Sequence, residues 1–173
     1  MQIDSFLVIY LIVARLIELV ISKKNTRKLF EQGAIECYAF HYKFIVLFHV
    51  TFIIYFLIKS FFIYKININL LVVFFIIQIF RYKVLYDLGK YWTTRIIVLK
   101  NKPLINSGIY KYLKHPNYLI VFIEIFLICL IFFDYEALLY FSMVNLLLIF
   151  VRIYFEEKAN KNRLKETVNY KSN

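Results

Sequence analysis

The chain has 173 residues, of which 62% are hydrophobic and 20% aromatic, with only 3 Gly and 2 Pro. A soluble domain of this length has too high a surface-to-volume ratio to hide so much apolar side chain. The net charge of +11 sits in short segments between long apolar runs, a distribution that fits loops on an anionic membrane face and argues against a nucleic-acid partner.

Several of these runs reach the ~18–20 residues needed to cross a hydrocarbon core, and none alternates apolar and polar residues as a barrel strand does. The expected fold is therefore all-α: a polytopic integral membrane protein of about five transmembrane helices, one domain over residues 1–173.

The first span runs roughly from Ser5 to Ile21. No small-residue cleavage site follows it, so it reads as a retained helix. Arg15 and Glu18 lie three apart, share a helix face and are expected to pair. The second span, about Phe44 to Tyr64, contains His49, which reads as an interhelical hydrogen bonder. The third covers about Ile68 to Tyr86, and a polar, basic segment from Asp87 to Pro116 holds both prolines. The fourth span, about Asn117 to Phe133, carries Glu124, and the fifth runs from about Ala137 to Tyr154. Only Asp134, Tyr135 and Glu136 separate these two, so they close the chain as an antiparallel helical hairpin, followed by a polar tail.

Lys23, Lys24, Arg27, Lys28 and Lys43 follow the first span, and further basic residues fill the segment from Arg81 to Pro116 and the stretch from Arg152 onward. The opposite loops hold Lys65, Asp134 and Glu136. By the positive-inside rule the N-terminus is outside and the C-terminus cytoplasmic. Cys37 and Cys129 have no metal-binding or redox spacing, and no metal site is expected.

Polar residues near the cytoplasmic ends are candidates for chemistry. Pro116 suits the first position of a helix, whose N–H has no partner to lose, and it holds His115 at a helix start where free N–H groups favour an anionic ligand. Asn145, Arg152 and Glu156 fall seven and then four residues apart, on one helical stripe, with Glu157 next. The hairpin makes the start of the fourth span a neighbour of the end of the fifth, so His115, Tyr118, Arg152 and Glu156 are expected to converge. Arg152 suits a carboxylate, Glu156 or Glu157 an ammonium, and the tyrosine rings a cationic sulfur. S-adenosylmethionine carries all three groups. The competing reading of the same residues is a helix cap with a surface ion pair.

The pattern Gly108-x-Tyr110-x-x-x-Lys114-His115-Pro116-x-Tyr118, then Asn145, then Arg152-x-x-x-Glu156-Glu157, resembles the signature of the isoprenylcysteine carboxyl methyltransferase family, with Lys114 where that family usually has Arg. Two more segments, Arg15-Leu-Ile-Glu18-Leu-Val-Ile-Ser22-Lys-Lys-Asn25 continued to Gly33-Ala-Ile-Glu36, and Tyr91-Trp92-Thr-Thr94-Arg95-Ile96 followed by Pro103-Leu104, resemble a bacterial branch similar to alkylpyrone and alkylresorcinol O-methyltransferases.

The resemblance implies an S-adenosylmethionine-dependent methyltransferase with a cytoplasmic cofactor pocket and no metal, in the inner membrane of a bacterium. Its acceptor, a lipophilic small molecule or lipidated group, enters sideways among membrane lipids. By the same resemblance Gly108, Tyr110, His115, Pro116, Tyr118, Asn145, Arg152, Glu156 and Glu157 form the cofactor site, and Trp92, Thr94, Arg95 and Glu124 lie nearer the acceptor. A carboxylate acceptor would be oriented by Arg95 and need no base; an enol or phenol would draw on His115 or Glu124. After the paired Glu the chain departs from the family's Phe-Gly and spaced tyrosines, keeping little beyond Tyr170. Alternatives are a phospholipid N-methyltransferase and a non-catalytic membrane assembly protein. The chain has neither the repeated, broken helices of a transporter nor the phosphate-cradling glycine loop of a nicotinamide-dependent reductase.

Overall fold

The computed structural model describes residues 3–62, 66–99, 105 and 107–171, with side chains described between residues 5 and 161 of these. Tyr64 at the end of the second expected span, Lys65, Pro103, Leu104 and the side chain of Tyr170 lie outside the described residues.

Among the described residues five α-helices form, α1 (Ile3–Glu31), α2 (Phe40–Lys59), α3 (Ile68–Leu88), α4 (Pro116–Ile131) and α5 (Tyr135–Lys171). Four stretches, Ser5–Glu31, Phe40–Lys59, Ile68–Tyr91 and Tyr135–Lys161, are long and apolar enough to cross a membrane. The architecture is that of an all-α polytopic membrane protein. The outward faces carry exposed Leu16, Val20, Leu47, Ile79, Leu147 and Phe150, a surface that would drive aggregation in water and is matched to acyl chains in a bilayer.

The fourth span is shorter than expected. Its 16 residues rise about 24 Å, less than the ~30 Å hydrocarbon core. Half of its residues are buried, including Glu124, Ile125, Ile128, Cys129 and Ile131, because it packs between α3 and α5 and so meets protein where the other helices meet lipid.

Helix ends and hydropathy edges do not coincide. α1 continues past Ile21 to Glu31 because Lys and Arg are good helix formers and Arg27 pairs with Glu31 at 3.1 Å across one turn. It stops at Gly33, whose φ is +84°. α5 likewise runs through the polar tail to Lys171. The apolar pattern marks where lipid ends, and the backbone stays helical beyond it.

Two short strands, β1 (Ile35–Glu36) and β2 (Ile97–Val98), pair antiparallel with Ile35 opposite Val98 and Glu36 opposite Ile97. The Cys37 N–H extends the ribbon to the Ile96 carbonyl at 2.9 Å. Strands this short leave no period-two signal to read. The ribbon fastens the α1–α2 connection to the segment that follows α3.

At the opposite end Asp134 closes the hairpin. Its Oδ1 accepts from the Ala137 N–H at 3.0 Å, capping α5, while Oδ2 accepts from the Tyr55 hydroxyl at 2.7 Å and from Lys59. Here the core is aromatic, with Phe52 edge-on to Phe141 at 5.0 Å and Phe56 against Phe132 at 5.0 Å.

Candidate active site

The site is built at the end of the bundle where α4 begins. Gly108 opens a 3-10 turn, Gly108–Lys111, with φ +58°. Asp87, near the end of α3, accepts from the Ile109 N–H at 2.9 Å and so fixes this turn on the bundle. A Cβ at residue 108 would run into the Asp87 carboxylate. Tyr110 in the turn is pushed above the ordinary phenol range by burial first and then by the Glu156 carboxylate, so it is a neutral hydroxyl at physiological pH.

Pro116 is the first residue of α4, with His115 just before it. The His115 ring stacks on Tyr118, centroids 5.5 Å apart. The Tyr118 hydroxyl accepts from Arg152 Nε at 2.9 Å and donates to Glu156, while the Arg152 guanidinium lies 5.4 Å from the Tyr118 ring centre. Glu157 takes Lys114 Nζ at 2.5 Å and His115 Nε2 at 3.5 Å. Thus His115, Tyr118, Arg152, Glu156 and Glu157 meet, as the hairpin topology requires.

A cavity of about 290 Å³ starts at this cluster and extends between the helices. At the near end it is lined by Asn117, Tyr118, Asn145 and Arg152. Among the described residues, the Oδ1 of Asn117 and the Nδ2 of Asn145 are buried there without a hydrogen-bond partner. Buried polar atoms are satisfied in the great majority of cases, so this end of the cavity offers one acceptor and one donor to a polar ligand.

Deeper in, Arg15, Glu18 and Arg81 line the cavity. They belong to a closed charge network. Glu18 takes Arg15 Nη1 at 2.9 Å, Arg81 Nη2 at 2.6 Å and Arg81 Nε. Glu124, from α4, takes Arg15 Nη2 at 2.7 Å, Arg81 Nη1 at 2.5 Å and Gln78 Nε2 at 2.7 Å. Two guanidinium groups and two carboxylates cancel, and every carboxylate oxygen has a donor. A charge inside a bilayer persists only when compensated in this way.

The model of the isoprenylcysteine carboxyl methyltransferase family matches residues 68–161. The chain belongs to that family. It is a membrane methyltransferase. It is also similar to YpbQ, an uncharacterized protein of Bacillus subtilis strain 168, at 37% identity over 157 residues, covering 88% of this chain and 94% of that protein. No solved structure matches it.

Of the residues assigned by resemblance to the cofactor and acceptor of this methyltransferase, Trp92, Thr94, Tyr118, Asn145 and Arg152 line the cavity. Gly108, Tyr110, His115, Pro116, Glu156 and Glu157 stand around its Tyr118 end without lining it. Glu124 is held behind the wall by the charge network. Arg95 stands outside, its Nη1 2.8 Å from Glu36 and its guanidinium 5.3 Å from the Tyr42 ring centre.

The two segments that resembled a bacterial branch are partners in space. Asn25 donates to the Gly89 and Trp92 carbonyls at 3.0 and 2.9 Å. Ser22 Oγ accepts from the Thr94 N–H at 2.9 Å and meets its hydroxyl at 2.8 Å. The first helix therefore holds the 92–94 loop over the cavity.

Sequence reasoning missed Asn117, Gln78 and Arg81. Gln78 stands in mid-span, a signal that was there to read. Arg81 was absorbed into the basic segment that sets orientation, although its position within α3 placed it two turns short of the helix end.

Proposed function

We propose that this methyltransferase uses S-adenosylmethionine and transfers the methyl group to an oxygen of a lipophilic acceptor. The observation that carries the reading is the unsatisfied pair Asn117 Oδ1 and Asn145 Nδ2, set beside Tyr118 and Arg152 at one end of a cavity whose wall along α1 and α2 is largely apolar. The donor set fits the cofactor: Arg152 for a carboxylate, Glu156 and Glu157 for an ammonium, ring faces for a sulfonium, and the two orphaned asparagine atoms for a heterocycle. Bound there, S-adenosylmethionine would supply a methyl group on a cationic sulfur.

The chain's own task is alignment and exclusion of water, the two effects that dominate when charges cancel along the reaction path. Arg152 and Glu156 fix the Tyr118 ring from both sides of its hydroxyl. The acceptor arrives from the bilayer between α1 and α2, where Leu16, Leu19, Val46, Val50 and Ile54 both line the cavity and are exposed on the outer surface. The protein is set in a bacterial cytoplasmic membrane with its N-terminus outside, so that the Tyr118 cluster faces the cytosolic pool of cofactor.

Calorimetric titration of S-adenosylmethionine into the detergent-purified protein tests this. Saturable binding is expected, and Arg152→Ala and Glu156→Ala should each weaken it at least tenfold, about 1.4 kcal/mol, with little change in melting temperature. A folded wild type that binds no cofactor in detergent or in lipid nanodiscs overturns the proposal.

A further inference from the structure

His49 lies on α2 and lines the cavity. Its Nδ1 is 2.8 Å from the Ile45 carbonyl oxygen, one helical turn back. A carbonyl only accepts, so Nδ1 carries the proton and Nε2 holds the free lone pair of a neutral imidazole. Among the described residues nothing hydrogen-bonds to Nε2. α2 runs antiparallel to α5, with His41 stacked on Phe155 at 5.4 Å and Phe48 edge-on to Phe141 at 5.9 Å. This register puts His49 at about the level of Asn145.

The other ionisable side chains of the cavity are engaged. Both oxygens of Glu18 accept from guanidinium groups, and Arg15 and Arg81 are neutralised by Glu18 and Glu124. Arg152 gives its Nε to Tyr118, whose hydroxyl proton is committed to Glu156, and its remaining N–H groups are the ones assigned to the cofactor carboxylate. The Tyr42 hydroxyl accepts from Thr94 at 3.2 Å. A carboxylate held by two guanidiniums is a poor base, and a guanidinium already paired is a poor anchor for a carboxylate acceptor.

We infer that His49 is the general base of the methyl transfer, taking the proton of a hydroxyl acceptor. The inference rests on the proposed methyltransferase reading and assigns it a proton acceptor. The acceptor O–H proton passes to His49 Nε2 while an oxygen lone pair forms the new O–CH₃ bond. The methyl–sulfur bond breaks with its electron pair left on sulfur, so a sulfonium becomes a neutral thioether and the positive charge moves to the imidazolium. Water at the cytosolic end then takes the proton. No net charge is created or lost within the cavity during the chemical step.

The test compares wild type with His49→Gln and His49→Ala on two probes, a long-chain alkylphenol and its nitro-substituted analogue, which is already ionised at the assay pH. Cofactor affinity and melting temperature are measured first in all three proteins, so that a wild type that binds no cofactor condemns the methyltransferase reading before His49 is judged. A general base contributes about 10²–10⁴-fold. Both variants should lose at least 100-fold on the alkylphenol, only a few-fold on the nitro analogue, and bind cofactor as wild type does. Added imidazole should restore part of the alkylphenol rate of His49→Ala. Equal losses on the two probes, no loss on either, or a wild type that methylates long-chain carboxylates and neither phenol overturns the assignment.

Discussion

Gly108 and Gly33 both adopt positive φ, +58° and +84°, yet only at Gly108 would a side chain meet an obstacle, the Asp87 carboxylate. Gly33→Ala should therefore cost the left-handed backbone penalty alone, about 1–2 kcal/mol. Gly108→Ala should cost that plus the Asp87 bond to Ile109, about 1 kcal/mol more, and should weaken cofactor binding because the turn carries Tyr110. Thermal unfolding of both variants in one detergent compares them; equal losses would mean that Asp87 gives way freely. Residues at this scale were legible in the sequence where topology constrained them. Tyr118, Arg152 and Glu156 meet because a hairpin with a three-residue connection leaves them no alternative. The reading of His49 as an interhelical hydrogen bonder was wrong in its partner, because Nδ1 bonds the Ile45 carbonyl one turn back on its own helix, and it was silent on Nε2, since no spacing rule reports which ring nitrogen is occupied. Arg95 was placed near the acceptor by resemblance alone, and its contact with Glu36 could not be read because it comes through a two-residue ribbon that leaves no mark on the sequence.

Three helices are held to one another by Arg15, Glu18, Arg81 and Glu124, contributed by α1, α3 and α4. Arg81 reaches both carboxylates and is buried, so Arg81→Met leaves two carboxylates sharing the single guanidinium of Arg15. Uncompensated buried charge costs about 3–5 kcal/mol, and the variant is expected to melt far below wild type or to be degraded. Glu124→Gln with Arg15→Met removes one charge of each sign and should lose much less. Melting curves of the two variants side by side check this; equal damage would show that shape, not charge balance, matters here. Helix existence was legible throughout, because lipid imposes one rule on every residue it touches. Helix ends were not, since Lys, Glu and Arg prolong α1 and α5 as readily as apolar residues do. α4 was overestimated for the opposite reason: its apolar run continues through Phe132 and Phe133, but Phe133 turns to φ +53° and the helix ends at Ile131.

Over the whole molecule, charge is gathered at one end of the bundle, together with the ribbon, the 3-10 turns and the Tyr118 cluster. In a background lacking Cys37 and Cys129, a cysteine at Asn160 should react with an impermeant maleimide only in inverted vesicles, and one at Tyr135 only in right-side-out vesicles. The reverse pattern would place the cofactor end outside the cell and deny it a cytosolic ligand. The charge network also has an implication for biogenesis. The chain emerges from the ribosome in order, so Arg15 and Glu18 enter the membrane first as a neutral pair and Arg81 follows on α3. Until α4 arrives with Glu124, the nascent protein carries one positive charge in excess at a depth where it has no counter-ion. The first three helices are then expected to lack one of the two anions that tie them together, and the cavity waits for α4 and α5, which supply part of its wall. The fourth helix, the one too short to cross comfortably by itself, is the element that completes the charge balance; synthesis stopped before residue 124 should yield a fragment that the cell's quality control clears.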